Sequence, residues 1–133
     1  MSLPVYSPSS DKIVHETEVD FTTRLVSAPI HIMQYDKKLI IIAVSLHKND
    51  EKYPLSNAYT ANIRFRKPNN TYVYDSALGA NSAYDTIYFE VSEQMTTHYG
   101  EAYATVEIML NNNIANTAIF KVLIDRNPIQ VGE

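Results

Sequence analysis

Ala58-Tyr59-Thr60-Ala61-Asn62-Ile63-Arg64-Phe65-Arg66 alternates without a break. Tyr59, Ala61, Ile63 and Phe65 fall on one side of an extended chain, and Thr60, Asn62, Arg64 and Arg66 on the other. Successive side chains of a strand point to opposite faces, so this pattern predicts a strand with one face buried and one in water. Lys67-Pro68-Asn69-Asn70 closes it with turn residues, and Thr71 to Tyr74 reads as a short return strand.

Outward from that segment the same rhythm recurs. Upstream, Leu39 to Leu46 carries Ile40, Ile42, Val44 and Leu46 on one face and Leu39, Ile41 and Ala43 on the other. A strand apolar on both sides is covered on both, here at its start. Ile30 to Met33 is a further strand, Tyr35-Asp36-Lys37 reads as a hairpin turn, and Lys48 to Glu51 is a polar turn. Lys12 to Phe21 has β-branched residues with poor alternation and is expected as an edge strand. Downstream, Ile87, Phe89 and Val91 point inward, as do Ala102, Ala104, Val106, Ile108 and Leu110, and Ala118, Phe120, Val122 and Ile124, with Asn111-Asn112-Asn113 as the hairpin between the last two strands. Asp75 to Ala83 is expected to be a loop. Ser92 is placed to cap a short helix, about 93–99, closed by Gly100.

Seven to nine strands, one short helix and no strand–helix–strand rhythm imply an all-β chain, a mainly antiparallel immunoglobulin-like β-sandwich. The expected organisation is a flexible N-terminal arm over 1–11, one sandwich domain over 12–126 and an exit tail over 127–133. The chain's 133 residues suffice for one core without staples.

Composition narrows the function. Net charge is −4, which gives no electrostatic reason to expect nucleic acid or a polyanionic membrane. The absence of cysteine removes disulfides, thiolate metal sites and a cysteine nucleophile. Met1 to Ser10 lacks the basic and apolar regions of a secretion signal, and no apolar run approaches a membrane span. Gly79, Gly100 and Gly132 lie too far apart for a phosphate loop. His15, His31, His47 and His98 show no metal-ligand spacing, and the adjacent Asp50 and Glu51 point opposite ways on extended chain. No catalytic, cofactor-binding or metal residue is therefore expected, and no enzyme. The informative bias is ten tyrosines without a tryptophan. Tyrosine joins apolar area to a polar tip and is enriched in interfaces. Arg64, Arg66, Tyr72, Tyr74, Tyr88 and Tyr103 fall on outward or partly exposed positions and are the candidate protein interface.

From Ile30 to Ile129 the chain resembles the N-terminal domain of the phage baseplate upper protein (BppU) family. The features coincide in order: the Gln34-Tyr35-Asp36 turn, the step Lys52-Tyr53-Pro54-Leu55-Ser56, the strand running into Phe65-Arg66-Lys67-Pro68-Asn69, the helical step Ser92 to Gly100, and the long hairpin Glu101 to Asp125. Where family members often carry glycine after the Lys-Pro-Asn turn, this chain has Asn70, which tolerates a left-handed conformation. The resemblance implies a virion structural component, made in the bacterial host cytoplasm. It implies a docking domain that links the tail hub to host-recognition proteins, with a distal tail hub protein and a receptor-binding protein as partners. A homo-oligomer in the assembled baseplate would fit. Longer members continue into regions that trimerise, whereas this chain stops at Glu133, so a trimer is not carried over. The alternative is a carbohydrate-binding sandwich contacting host cell-surface glycans; the lack of tryptophan speaks against it.

Overall fold

The computed structural model describes residues 3–22, 29–34, 40–56 and 59–126. Two sheets face each other across one core. The first joins β1 (Ile13–Asp20), β3 (Ile40–Lys48), β8 (Thr86–Glu90) and β7 (Gly79–Ala80) in that order, with β4 (Glu51–Lys52) extending β3 as a hairpin. The second runs β2 (Ile30–Met33), β10 (Asn113–Asp125), β9 (Gly100–Leu110), β5 (Tyr59–Arg66) and β6 (Tyr72–Ser76).

The alternating segments fold as their patterns predict. Ile40, Ile42, Val44 and Leu46 from the first sheet join Ile63, Phe65, Ala104, Val106, Phe120 and Val122 from the second in one buried cluster. Ile41 and Ala43, on the far side of β3, are also buried.

The turn residues act through backbone conformation. Asn49 (φ 55°) and Asp50 (φ 64°) join paired Lys48 and Glu51, and Asn111 (φ 53°) and Asn112 (φ 67°) join paired Leu110 and Asn113. Positive φ at both central residues is the type I′ hairpin, whose twist matches that of the strands. Asp20, itself buried, accepts the Asp50 amide at 2.8 Å and the Thr22 amide at 2.9 Å, so one carboxylate ties the end of β1 to the β3–β4 turn. Asn70 does adopt a left-handed conformation, φ 67°.

The sandwich is mainly antiparallel, as expected, with a parallel pairing at two edges: β1 with β3 and β2 with β10. A parallel neighbour requires a crossover. The chain makes it by leaving β1 for the second sheet at β2 and returning to the first at β3. For the same reason β2 and β3 are not a hairpin, and the turn expected at Tyr35-Asp36-Lys37 lies outside the described residues. The helical step is a single 3-10 turn, Glu93–Thr96, and Ser92 makes no side-chain capping bond. Within the expected Asp75–Ala83 loop, β6 ends and β7 begins, so the chain switches sheets there: Ala77 donates to Ala61 on β5, and Leu78 donates to Tyr88 on β8.

In the stretch read as an arm, Leu3 is buried, Ala80 donates to Pro4 and Tyr6 donates to Ala80. These residues lie alongside β7. Gly79 makes room for them, since a Cβ there would lie 2.4 Å from the Pro4 carbonyl oxygen.

Candidate interaction surface

The outward phase of the second sheet carries five of the six candidate residues. The register places Arg66 opposite Tyr72 and Arg64 opposite Tyr74 on β6, and the same two arginines opposite Tyr103 and Thr105 on β9. Arg64, Arg66, Tyr72, Tyr74 and Tyr103 therefore share one face. Tyr88 does not. It lies on β8 in the first sheet, where it meets the ring of Tyr6 at 5.4 Å between centroids. Alternation in sequence says which side of a strand a residue takes, not which sheet the strand joins.

The face is held by charge and ring contacts in two groups. In one, Arg64 reaches Glu107 at 3.1 Å, Tyr74 donates its hydroxyl to the same carboxylate at 3.0 Å, and Asn62 donates to the Tyr74 hydroxyl at 3.1 Å. The Arg64 guanidinium also stands 5.8 Å from the Tyr74 ring centre. In the other group, Arg66 lies 5.0 Å and the Lys121 ammonium 5.8 Å from the Tyr103 ring centre. Tyr103 and Lys121 both donate to Glu101. Cation–π contacts at exposed sites contribute about 0.5–1 kcal/mol each, so their main effect is to fix side-chain direction.

Glu107 is the anchor that the sequence reading missed. It points to the outer face, yet its side chain is only 4% exposed. Tyr74, Arg64 and Asn62 close over it. Burial, with the hydrogen bond to Glu107, pushes the Tyr74 phenol above its ordinary pKa. The available signal was a glutamate in the outward phase of β9 flanked by buried Val106 and Ile108, but naming its partner requires the register. Around this polar lattice lie exposed apolar groups: Tyr72 at 61% and Ile119 at 55%. Met33, on edge strand β2, is exposed as well. Aromatic and arginine side chains held rigid beside exposed aliphatics are the make-up of protein contact surfaces.

The histidines are dispersed. His47 meets Glu18 at 2.6 Å, binding β3 to β1, and His31 meets Asp125 at 3.3 Å, binding β2 to β10. His98 contacts Thr97 and Asn69. Among the described residues no three of His, Asp and Glu converge as a metal-holding group. Gln34, Pro68, Asn69, Thr97, His98 and Tyr99 line a wide-open hollow of about 470 Å³.

The family described as the BppU N-terminal domain matches residues 13–132. The chain belongs to that family. The matched span extends beyond the motifs at both ends and takes in β1. The BppU family is a structural one of the phage baseplate, which makes this chain a baseplate structural domain. Twelve chains of solved structures match it. Among them is one described as the N-terminal domain of phage TP901-1 ORF48, with TM-score 0.65 and 11% identity, covering 85% of this chain and 99% of that one. At this identity the likeness is one of fold. No curated protein matches the chain.

Proposed function

We propose that this BppU domain is a non-enzymatic docking module of the virion, and that it docks through the outer face of its second sheet. In this reading it joins the tail hub to host-recognition proteins, a distal tail hub protein on one side and a receptor-binding protein on the other. The observation that carries it is the Arg64–Glu107–Tyr74 group beside Arg66, Tyr72 and Tyr103. Side chains already held in place lose little rotamer freedom on contact, and Tyr and Arg are the residue types that most often dominate binding energy. Tyr88, on the opposite sheet, is outside the proposed contact.

The test is co-purification with each neighbouring tail protein of the same phage. Wild-type chain is expected to form a complex. Arg66→Ala and Tyr72→Ala should weaken it at least about tenfold, the effect of ~1.4 kcal/mol, while Tyr88→Ala leaves it unchanged. Equal binding by all variants would move the contact off this face.

One observation favours the glycan reading as second choice. Gln34, Asn69, His98 and Tyr99 line the hollow together. Binding on a glycan array that is lost in Asn69→Ala would promote it over protein docking.

A further inference from the structure

The four sheet edges are guarded unequally. Unpaired edge strands invite pairing with other chains, and proteins blunt them with charge, brevity or a covering segment. Edge strand β7 is covered by Pro4–Tyr6. Along β1, Glu16 and Glu18 are exposed, and β2 is only four residues long. Among the described residues, strand β6 has no covering segment, and on its outer side Tyr72, Tyr74 and Ser76 are all exposed and uncharged.

The ladder shows which backbone groups are open. Lys67 donates to Thr71 at 2.8 Å, and Ala77 donates to Ala61 at 2.9 Å, at the two ends of the β5–β6 pairing. Bonded and non-bonded pairs alternate in an antiparallel ladder. With Phe65 opposite Val73 and Ile63 opposite Asp75, these pairs are the bonded ones. The pairs Arg66–Tyr72, Arg64–Tyr74 and Asn62–Ser76 are then non-bonded. The amides and carbonyls of Tyr72, Tyr74 and Ser76 therefore point away from β5, into the space beside the sheet.

We propose that β6 is a pairing edge at which a second copy of this chain adds its own β6, antiparallel and centred on Tyr74. The strand is self-complementary in that register. Tyr74 stands opposite its copy and Tyr72 opposite Ser76 in both directions, so every outward amide and carbonyl of the strand finds a partner. Charge selects the same register. Asp75, the strand's one charged residue, falls opposite Val73; moving the centre one residue to Asp75 would oppose two carboxylates, which destabilises a strand pair. The second sheet then continues through the dimer, with the tyrosines of both copies in one row on the docking face. This inference does not depend on which protein that face binds.

Cysteine cross-linking in this cysteine-free chain tests the register directly. A bonded antiparallel pair has its Cα atoms about 5.5 Å apart, within the span of a disulfide. Under mild oxidation Tyr74→Cys is expected to give a disulfide dimer. Tyr72→Cys alone stays uncrosslinked, and Tyr72→Cys with Ser76→Cys in one chain crosslinks. Sedimentation over a concentration series should show a monomer–dimer equilibrium for wild type, weakened about tenfold or more by Ser76→Pro, which removes an outward amide and no bond of the β5–β6 ladder. A wild-type chain that stays monomeric throughout overturns the proposal. So does a dimer in which Tyr74→Cys does not crosslink. Protection of the Ser76 amide from exchange only when another tail protein is added also overturns self-pairing and assigns the edge to that protein.

Discussion

Replacing Arg64 by alanine removes the cation from a carboxylate that water barely reaches. The Glu107 side chain is 4% exposed, and its partners are the Arg64 guanidinium and the Tyr74 hydroxyl. Stripping one partner from a fully buried ion pair costs about 3–5 kcal/mol, whereas an exposed pair contributes about 0–1 kcal/mol. Arg64 is 49% exposed, so its loss opens a path for water, and the Tyr74 bond survives. The expected cost lies between the two limits, about 2 kcal/mol. Urea denaturation reads this directly: with a slope of about 1.5 kcal/mol/M, the midpoint should fall by roughly 1–1.5 M. The double variant Arg64→Ala, Glu107→Ala should cost about 1 kcal/mol less than the sum of the singles, because neither leaves an orphan once both are gone. Costs that add, or an Arg64→Ala loss below about 0.5 kcal/mol, would refute the claim that these residues form one coupled lattice.

Other perturbations probe other parts of the account. Phe65→Ala empties a fully buried site between the sheets and should cost about 3–5 kcal/mol, read as a fall in Tm, while Tyr72→Ala, on the open face, should leave Tm nearly unchanged. Gly79→Ala pushes a methyl against the Pro4 carbonyl and should release the N-terminal segment, seen as faster proteolysis there with the sandwich intact. The Asn81 amide, aided by Lys52, holds the Asp85 carboxyl below its ordinary range. A lowered folded-state pKa means stabilisation present above the unfolded value and lost as pH falls through the folded one, so Asp85→Asn should flatten the acid side of the stability–pH profile. Asn112→Gly should raise stability by a few tenths of a kcal/mol, because glycine accepts φ 67° more readily than asparagine does.

The parts legible in the sequence are those set by local chemistry. Period-2 alternation located β5, β8, β9 and β10, and apolar residues on both sides of β3 announced a covered strand. Asparagine and aspartate at Asn49, Asp50, Asn70, Asn111 and Asn112 marked turns that do require positive φ. What escaped depends on partners distant in the chain. The parallel pairings of β1 with β3 and of β2 with β10 follow from the crossing between sheets, which no local pattern announces. Strand β7 is two residues long and owes its place to the segment lying against Gly79. The candidate surface divides the same way. Arg64, Arg66, Tyr72 and Tyr74 could be grouped because one tight turn joins their strands, and Tyr103 shares their outward phase. Tyr88 stands apart from them on the first sheet, which phase alone does not reveal, and Glu107 was missed because a buried acid on an outer face is visible only through its neighbours.

Side-chain hydroxyl-radical footprinting of the assembled baseplate, compared with the isolated chain, tests the docking claim most directly. Tyr103 and Ile119 sit on β9 and β10 in the outer face, away from the β6 edge, and Tyr99 is an exposed ring just before β9 begins. The account predicts strong protection of Tyr103 and Ile119 on assembly, with Tyr99 as reactive as before. Unchanged reactivity of Tyr103 and Ile119 in the intact baseplate would contradict it.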